Sequence, residues 1–375
     1  MTTIFICIDW FHPAYKAGGP VQSIANLVNN YQQTGVRFKI FCSNADLDGK
    51  LNEGVAFDEW TFYNACTQVW FASKTNRTVA TIQREINNSN AGVLFIIGIY
   101  SWYFNLLPLL FCKVPVKIIS ARGMLHPGAL TQKSFKKKIY IAFWKMARIH
   151  LRYRFHATDA REKEIIQGIF GNNAKVTIAG NFPRSFAFQN APQKKAGALE
   201  LVSIAVLSPM KNIALVLEAL KDCKPAVNYA VFGPVKDAVY WQHCLSIIDT
   251  LPAHITAVYR QDLVPSKIED ALKGYEVFIL PSKSENFGHA IFEALSAGKP
   301  VITSHHTPFN ELCIHQAGQN VSLDNTAEMT AAIDFFAAMD CKEFAVWNYG
   351  AQHYKLKNMD LQGLKEQYDQ LFNIK

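Results

Sequence analysis

Short apolar runs alternate with segments of helical period along the whole chain. In the first half, the runs that read as strands are Ile4–Asp9, Arg37–Cys42, Val93–Gly98, Val116–Ser120, Arg154–Ala157 and Lys175–Ala179. Between them, Pro20–Gln33, Asn105–Cys112, Leu130–Arg152 and Ala160–Phe170 carry apolar residues at helical spacing. The stretch from Asn52 to Ser73 is aromatic and follows neither period. The rhythm breaks at Asn181. From there to Gly197 the chain carries Pro183 and Pro192 and little periodicity, which reads as an inter-domain linker. It restarts with strands at Leu201–Leu207, Asn228–Phe232, Ile255–Tyr259, Val277–Leu280 and Pro300–Thr303. The matching helices are Asn212–Lys221, Lys236–Leu251, Pro265–Lys273, Gly288–Ala297 and Thr326–Ala338.

Alternation of this kind predicts βα units and parallel sheets. The expected class is α/β, with two doubly wound, Rossmann-like domains facing across a cleft. The expected bounds are 1–182 for the first domain, 183–199 for the linker and 200–350 for the second domain. In 351–375, Leu361–Phe372 reads as a helix. Open parallel sheets bind ligands outside the carboxyl ends of their strands, so chemistry-bearing residues are sought there.

Composition narrows the function. Of 375 residues, 50% are hydrophobic and 18% charged, which fills two cores and excludes a disordered chain. A net charge of +8 points to an anionic partner. Cys7, Cys42, Cys66, Cys112, Cys223, Cys244, Cys313 and Cys341 form no Cys-x-x-Cys pair, so free thiols in a reducing compartment are expected, not zinc or disulfides. No secretory signal is visible, and no run approaches the roughly 20 apolar residues of a membrane span. The expected location is cytoplasmic, peripheral on the inner face of a membrane. The membrane contact is assigned to 131–154, where Lys133, Lys136, Lys137, Lys138, Lys145, Arg148, Arg152 and Arg154 interleave with aromatics and no acid. An ordinary helix with one core face and one solvated face is the alternative. No nucleic-acid motif accompanies the charge.

Four loops after strands carry candidate chemistry. The first holds Glu285, Asn286, Phe287, Gly288 and His289, with Glu293 on the helix that follows. Gly288 permits a tight turn, and free N–H groups at a helix start attract anions. One carboxylate can accept from two vicinal hydroxyls of a sugar or ribose. Alternatively, Glu293 pairs with His289 one turn earlier and Glu285 is solvated. The second loop holds Lys211 and Asn212, where a cation at a helix start opposes the dipole and favours an anionic ligand. The third holds Gly18 and Gly19 before Pro20, or is a simple turn. The fourth holds Arg122, Gly123 and His126; a loop-anchoring salt bridge is the other reading of Arg122. Asp159 and Glu162 fit a helix-capping box beside His156. Asp46 and Asp48 read as an acidic loop. No cluster has metal-ligand spacing, so neither metal nor cofactor is expected.

The segment 281–301 resembles the nucleotide-sugar motif of family 4 retaining glycosyltransferases, the group 1 glycosyl transferases of GT-B fold. Most of the chain is similar to that family, which implies that the helix Leu361–Phe372 packs back on the first domain. The resemblance implies that Glu285 contacts the donor sugar, Glu293 the ribose, and the N–H groups of Asn286, Phe287 and Gly288 the sugar and phosphate. It assigns Lys211, Gly18 and Gly19 to the donor diphosphate. Val206 stands where the family has an arginine; Arg122, Lys283 or Arg260 are the candidate substitutes. Arg122 takes the place of a family histidine near the reacting carbon, with His126 and His156 as secondary or acceptor candidates. The implied reaction moves a hexosyl unit from a UDP- or GDP-type sugar to a glycan or lipid-diphosphate acceptor, with retention, in surface polysaccharide synthesis. A non-catalytic nucleotide-sugar-binding partner, or a sugar-phosphate epimerase or phosphorylase of the same architecture, are the rival expectations.

Overall fold

A computed structural model describes residues 2–32, 35–126, 130, 134–190, 194–357 and 360–374. Gln132 and Lys133 of the basic segment, Pro127 of the fourth loop, and Pro192 lie outside the described residues. The chain divides into two compact units, Met1–Phe182 with Asp360–Lys375, and Pro183–Met359.

The first unit is built on an eight-stranded sheet in the order β3-β4-β2-β1-β5-β6-β7-β8. Its strands are β1 (Thr3–Cys7), β2 (Arg37–Ser43), β3 (Trp60–Asn64), β4 (Thr67–Ala72), β5 (Val93–Ile97), β6 (Val116–Ser120), β7 (Arg154–Ala157) and β8 (Val176–Ile178). All neighbours are parallel except β3, which runs antiparallel to β4. β5 is buried along its whole length, as a strand covered on both faces must be. The helices are α1 (Gly19–Asn29), α2 (Val79–Asn88), α3 (Leu107–Phe111), α4 (Ser134–Met146), α5 (Ile149–Arg152) and α6 (Ala160–Phe170). A π-turn, Trp102–Leu106, leads into α3.

The second unit holds a six-stranded sheet in the order β11-β10-β9-β12-β13-β14. Its strands are β9 (Ala198–Ile204), β10 (Ala226–Phe232), β11 (Ile255–Tyr259), β12 (Val277–Leu280), β13 (Val301–Ser304) and β14 (Gly318–Val321), all parallel. Its helices are α7 (Ile213–Leu220), α8 (Ala238–Ile248), α9 (Ile268–Leu272), α10 (His289–Ser296), α11 (Ala327–Ala338) and α12 (Cys341–Lys357). The last helix, α13 (Leu361–Phe372), belongs to the first unit, where Tyr368, Leu371 and Phe372 are buried. In each sheet the order reverses between two central strands, β1 and β5 in one and β9 and β12 in the other. These are the switch points at which such sheets open for ligands.

Three expectations need correction. The stretch expected as a linker belongs to the second unit. Phe186 donates its N–H to Ser296 Oγ (2.8 Å), Ala187 to Glu269 (3.0 Å), and Gln189 Nε2 bonds the Glu269 carbonyl (2.8 Å). Prolines removed its period, but hydrogen bonds still bind it to the core. α12 runs through the expected boundary at 350, so the second unit extends to Met359. The long helix expected over Leu130–Arg152 is broken at Arg148, whose left-handed backbone (φ 53°) ends one helix and caps the next.

Among the described residues, no helix is long and apolar enough to cross a membrane.

Candidate functional site

β9 and β12 are neighbours, so the loops that follow them lie side by side at the switch point of the second unit. The loop after β9 ends at Asn212, whose positive φ (58°) turns the chain into α7. Lys211, just before it, extends to the other loop. Its Nζ lies 2.5 Å from Glu285 Oε1. Ser282 Oγ donates to the same oxygen at 2.7 Å. The backbones are joined too, since Lys283 N–H bonds the Met210 carbonyl at 2.9 Å. Ser304, at the end of β13, donates to the Ser282 carbonyl at 2.5 Å. Three consecutive strand ends thus fix one carboxylate and one ammonium, both half-buried or more.

Gly288 caps α10 at φ 74°. A Cβ there would meet Phe309 at 2.9 Å, so both backbone and packing require glycine. The turn directs the first N–H groups of α10 towards the loop of Asn286 and Phe287, a natural anion site. The Phe287 ring lies against His289 and Phe292, at centroid distances of 4.7 Å and 5.9 Å.

Glu293 is only 3% exposed. The cation that meets it is Arg184, with Nε 3.0 Å and Nη2 2.9 Å from Oε1. Arg184 also donates to the Pro265 carbonyl (3.3 Å) and lies 4.7 Å above the Phe186 ring. Burial pushes the Glu293 carboxyl up to about 7, and the guanidinium opposes that shift. Arg184 and Ser282 escaped the sequence reading. Ser282 sat unassigned inside the motif. Arg184 sat in an aperiodic stretch 109 residues from its partner, with no pattern to signal it.

In the first unit, Gly18 caps α1 at φ 74°. The loop before it is held by Asp46, which accepts the N–H groups of Tyr15 (3.0 Å) and Lys16 (3.3 Å). Lys16 Nζ reaches Asp48 at 2.8 Å. The acidic loop therefore anchors the glycine turn. Arg122 follows β6 with a positive φ of 49°. Its guanidinium donates to Asn181 Oδ1 and, at 3.4 Å, to Tyr368 Oη, which replaces the expected salt bridge with neutral partners. His156 is fully buried beneath it. Its Nε2 donates to the Ala179 carbonyl (2.8 Å), so Nδ1 accepts from Ser120 Oγ (2.7 Å). Burial first, then the Arg122 charge, push this imidazole down to about 3. It is a neutral core residue, which corrects its place among the acceptor candidates. His126 is also pushed down by burial, then by Arg161. Glu162 accepts from Gly123 N–H (2.6 Å), Thr158 N–H (2.8 Å) and Thr158 Oγ1 (2.9 Å), while Asp159 caps α6. Only half of the expected capping box forms, because Glu162 serves the neighbouring loop.

Residues 185–351 match the family described as "Glycosyl transferases group 1". An O-antigen biosynthesis glycosyltransferase of Escherichia coli, WclY, is 29% identical over 161 residues, 43% of this chain and 42% of the relative. The match thus spans less than half the length of the curated relative. Anabaena Alr3699/HepE, solved with UDP and glucose, is similar at a TM-score of 0.69 and 13% identity over 100% of both chains. A sucrose-phosphate synthase from Thermosynechococcus elongatus gives 0.75 and 12%, covering 100% of this chain and 98% of its own. WaaG, a glycosyltransferase involved in lipopolysaccharide biosynthesis, gives 0.66 and 12% over 99% and 100%. At these identities the likeness is one of fold, the two-domain GT-B architecture.

Proposed function

We propose, on the premise that its second unit is a glycosyl transferases group 1 domain, that this chain is a retaining, metal-independent glycosyltransferase. It moves a hexosyl unit from a nucleotide-diphosphate sugar to a glycan or lipid-linked acceptor in the assembly of a surface polysaccharide. The observation that carries the reading is the Lys211–Glu285 pair at the β9/β12 switch point, beside the N-terminus of α10.

As the bond from sugar to phosphate breaks, negative charge grows on the bridging oxygen and the β-phosphate. Lys211 and the N–H groups around Gly288 stabilise that charge, and preorganised donors of this kind are often the largest catalytic term. Glu285, held by Ser282, accepts from hydroxyls of the donor sugar. Glu293 accepts from the ribose, with Arg184 opposing the burial that favours its neutral form. Both carboxylates are committed to cations, which favours front-face attack over a glycosidase-like nucleophile and acid. The leaving phosphate then takes the acceptor proton. Gly18 and Gly19 leave the turn into α1 open to the close approach of a phosphate. Of the candidate replacements for the arginine missing at Val206, Lys283 is on the Lys211 loop's own hydrogen bond. Arg122 is engaged with Asn181 and Tyr368, and Arg260 acts on Tyr275. Lys283 is therefore assigned the second phosphate contact. Arg122 is assigned a positioning role, with His126 beside the acceptor.

The relatives' names point the same way. WclY serves O-antigen synthesis, and the HepE structure holds UDP. A UDP- or GDP-type donor, and an acceptor presented at the inner face of a membrane, complete the proposal. A thermal-shift screen of nucleotide sugars, followed by NMR of the product's anomeric configuration, tests it. One donor is expected to raise the melting temperature and to be transferred with retention, undiminished by EDTA. Inversion, or dependence on a divalent ion, would overturn the mechanism. Binding without turnover would favour the non-catalytic partner that Val206 keeps in view.

A further inference from the structure

α4 has two apolar faces where a surface helix ordinarily has one. Taking about 100° per residue, Tyr140, Ile141 and Trp144 fall on one side. Trp144 is buried, and Tyr140 and Ile141 pack on the core of the first unit. Phe135, Ile139, Ala142, Phe143 and Met146 fall on the opposite side. They are exposed, Phe135 at 75%, Ile139 at 55%, Phe143 at 40% and Met146 at 80%. Water should select polar residues there, yet the lysines sit on the flanks, Lys136 on one and Lys138 and Lys145 on the other. Between Ser134 and Thr158 the chain carries no acid. Leu151 and Arg152 of α5 are exposed as well.

We propose that this outer face docks the chain on an anionic lipid bilayer, with Phe135, Ile139, Phe143 and Met146 entering the acyl boundary and the flanking lysines meeting lipid phosphates. An apolar stripe edged with cations matches the layered polarity of a lipid interface, apolar below and anionic at the rim. A second copy of the chain would bring lysines against lysines. Lys137 lies 5.2 Å above the Tyr100 ring on the inner side, so the basic run contributes to the core as well as to the rim. α4 lies on the membrane rather than through it, since its 13 residues are too few to span. The surface deepens the proposed function, because it rests on an acceptor presented at a membrane.

Flotation with phosphatidylcholine vesicles, with and without phosphatidylglycerol, tests it on the full chain. Co-flotation with the anionic vesicles is expected, weakening as salt is raised. F135S/F143S/M146S should lose it by about tenfold or more even at low salt, and K138E/K145E should lose the preference for phosphatidylglycerol. Affinity for UDP in solution should stay at the wild-type value in both, so failure of the donor site is read separately from failure of docking. All five positions are exposed, and an unchanged melting temperature confirms that the fold is kept. Equal flotation of wild type and both variants would overturn the proposal. So would a wild-type dimer that becomes monomeric in F135S/F143S/M146S.

Discussion

Two lysines show how position decides what a charge does. Lys211 is partly open to water and meets Glu285, so its charge is available to a ligand. Lys211→Ala should lower turnover by about 10²–10³, the loss that follows removal of one oxyanion donor. Steady-state rates with saturating donor check this, and unchanged turnover would remove Lys211 from the mechanism. Lys299 is fully buried, and among the described residues its Nζ has no hydrogen-bond partner. Burial pushes its ammonium down to about 8, against the pull of Glu276. A lysine lowered in the folded state weakens folding fully below that value, and the loss is recovered as pH rises from about 8 to the ordinary 10.5. Glu276 keeps a second cation, Lys194, at 3.8 Å. Lys299→Met should therefore stabilise the chain at pH 7 by about 1–2 kcal/mol. Denaturant titrations at pH 7 and pH 10 should show the gap closing at the higher pH.

At the scale of elements, the turn into α10 depends on a single glycine. Gly288→Ala adds a Cβ to a backbone at φ 74° and drives it to 2.9 Å from Phe309. A cost of about 1–3 kcal/mol is expected. Nucleotide affinity should fall further than stability explains, because the N–H groups would turn away from the ligand; calorimetry on folded protein separates the two effects. The same element shows what a sequence discloses. The glycine turn and the apolar run of β12 were readable because each obeys a local rule, whereas the two glutamates drew their roles from the family resemblance alone. Buried parallel strands such as β5 and β12 show as unbroken apolar runs for the same reason. The hairpin of β3 and β4 was not readable, since β3 is half-exposed and lies at the sheet edge, where no burial pattern marks it. α2 escaped because its buried positions include Thr81 and Glu85, which break an apolar stripe. The Glu285 pair joins loops that follow known strands, whereas the Arg184–Glu293 pair depends on a tertiary contact that no local pattern encodes.

At the scale of the molecule, the chain leaves the first unit after Phe182 and re-enters it at Asp360. The core of the first unit is therefore closed by a helix that follows the whole of the second. Tyr368 stacks on Phe182 at 5.4 Å, and Phe372 meets Phe95 at 5.3 Å. Tyr31 Oη donates to Asp369 at 2.8 Å, and Gly180 N–H to Gln367 at 2.9 Å. Tyr368 also accepts from Arg122, so the helix reaches the loop after β6. A chain ending at Met359 would expose α1, Phe182 and β5 to water. Full burial of Tyr368, Leu371 and Phe372 is worth roughly 2 kcal/mol each, so a loss of about 6 kcal/mol is expected, comparable to the whole stability of a domain. Because the second unit keeps its own sheet and core, the loss should be confined to the first. Hydrogen exchange on the truncated chain should show protection retained in β9, β12 and α10 and lost in β1, β5 and α1. Equal loss in both units would mean that they fold as one cooperative block, and unaltered protection in the first would mean that α13 covers nothing it needs.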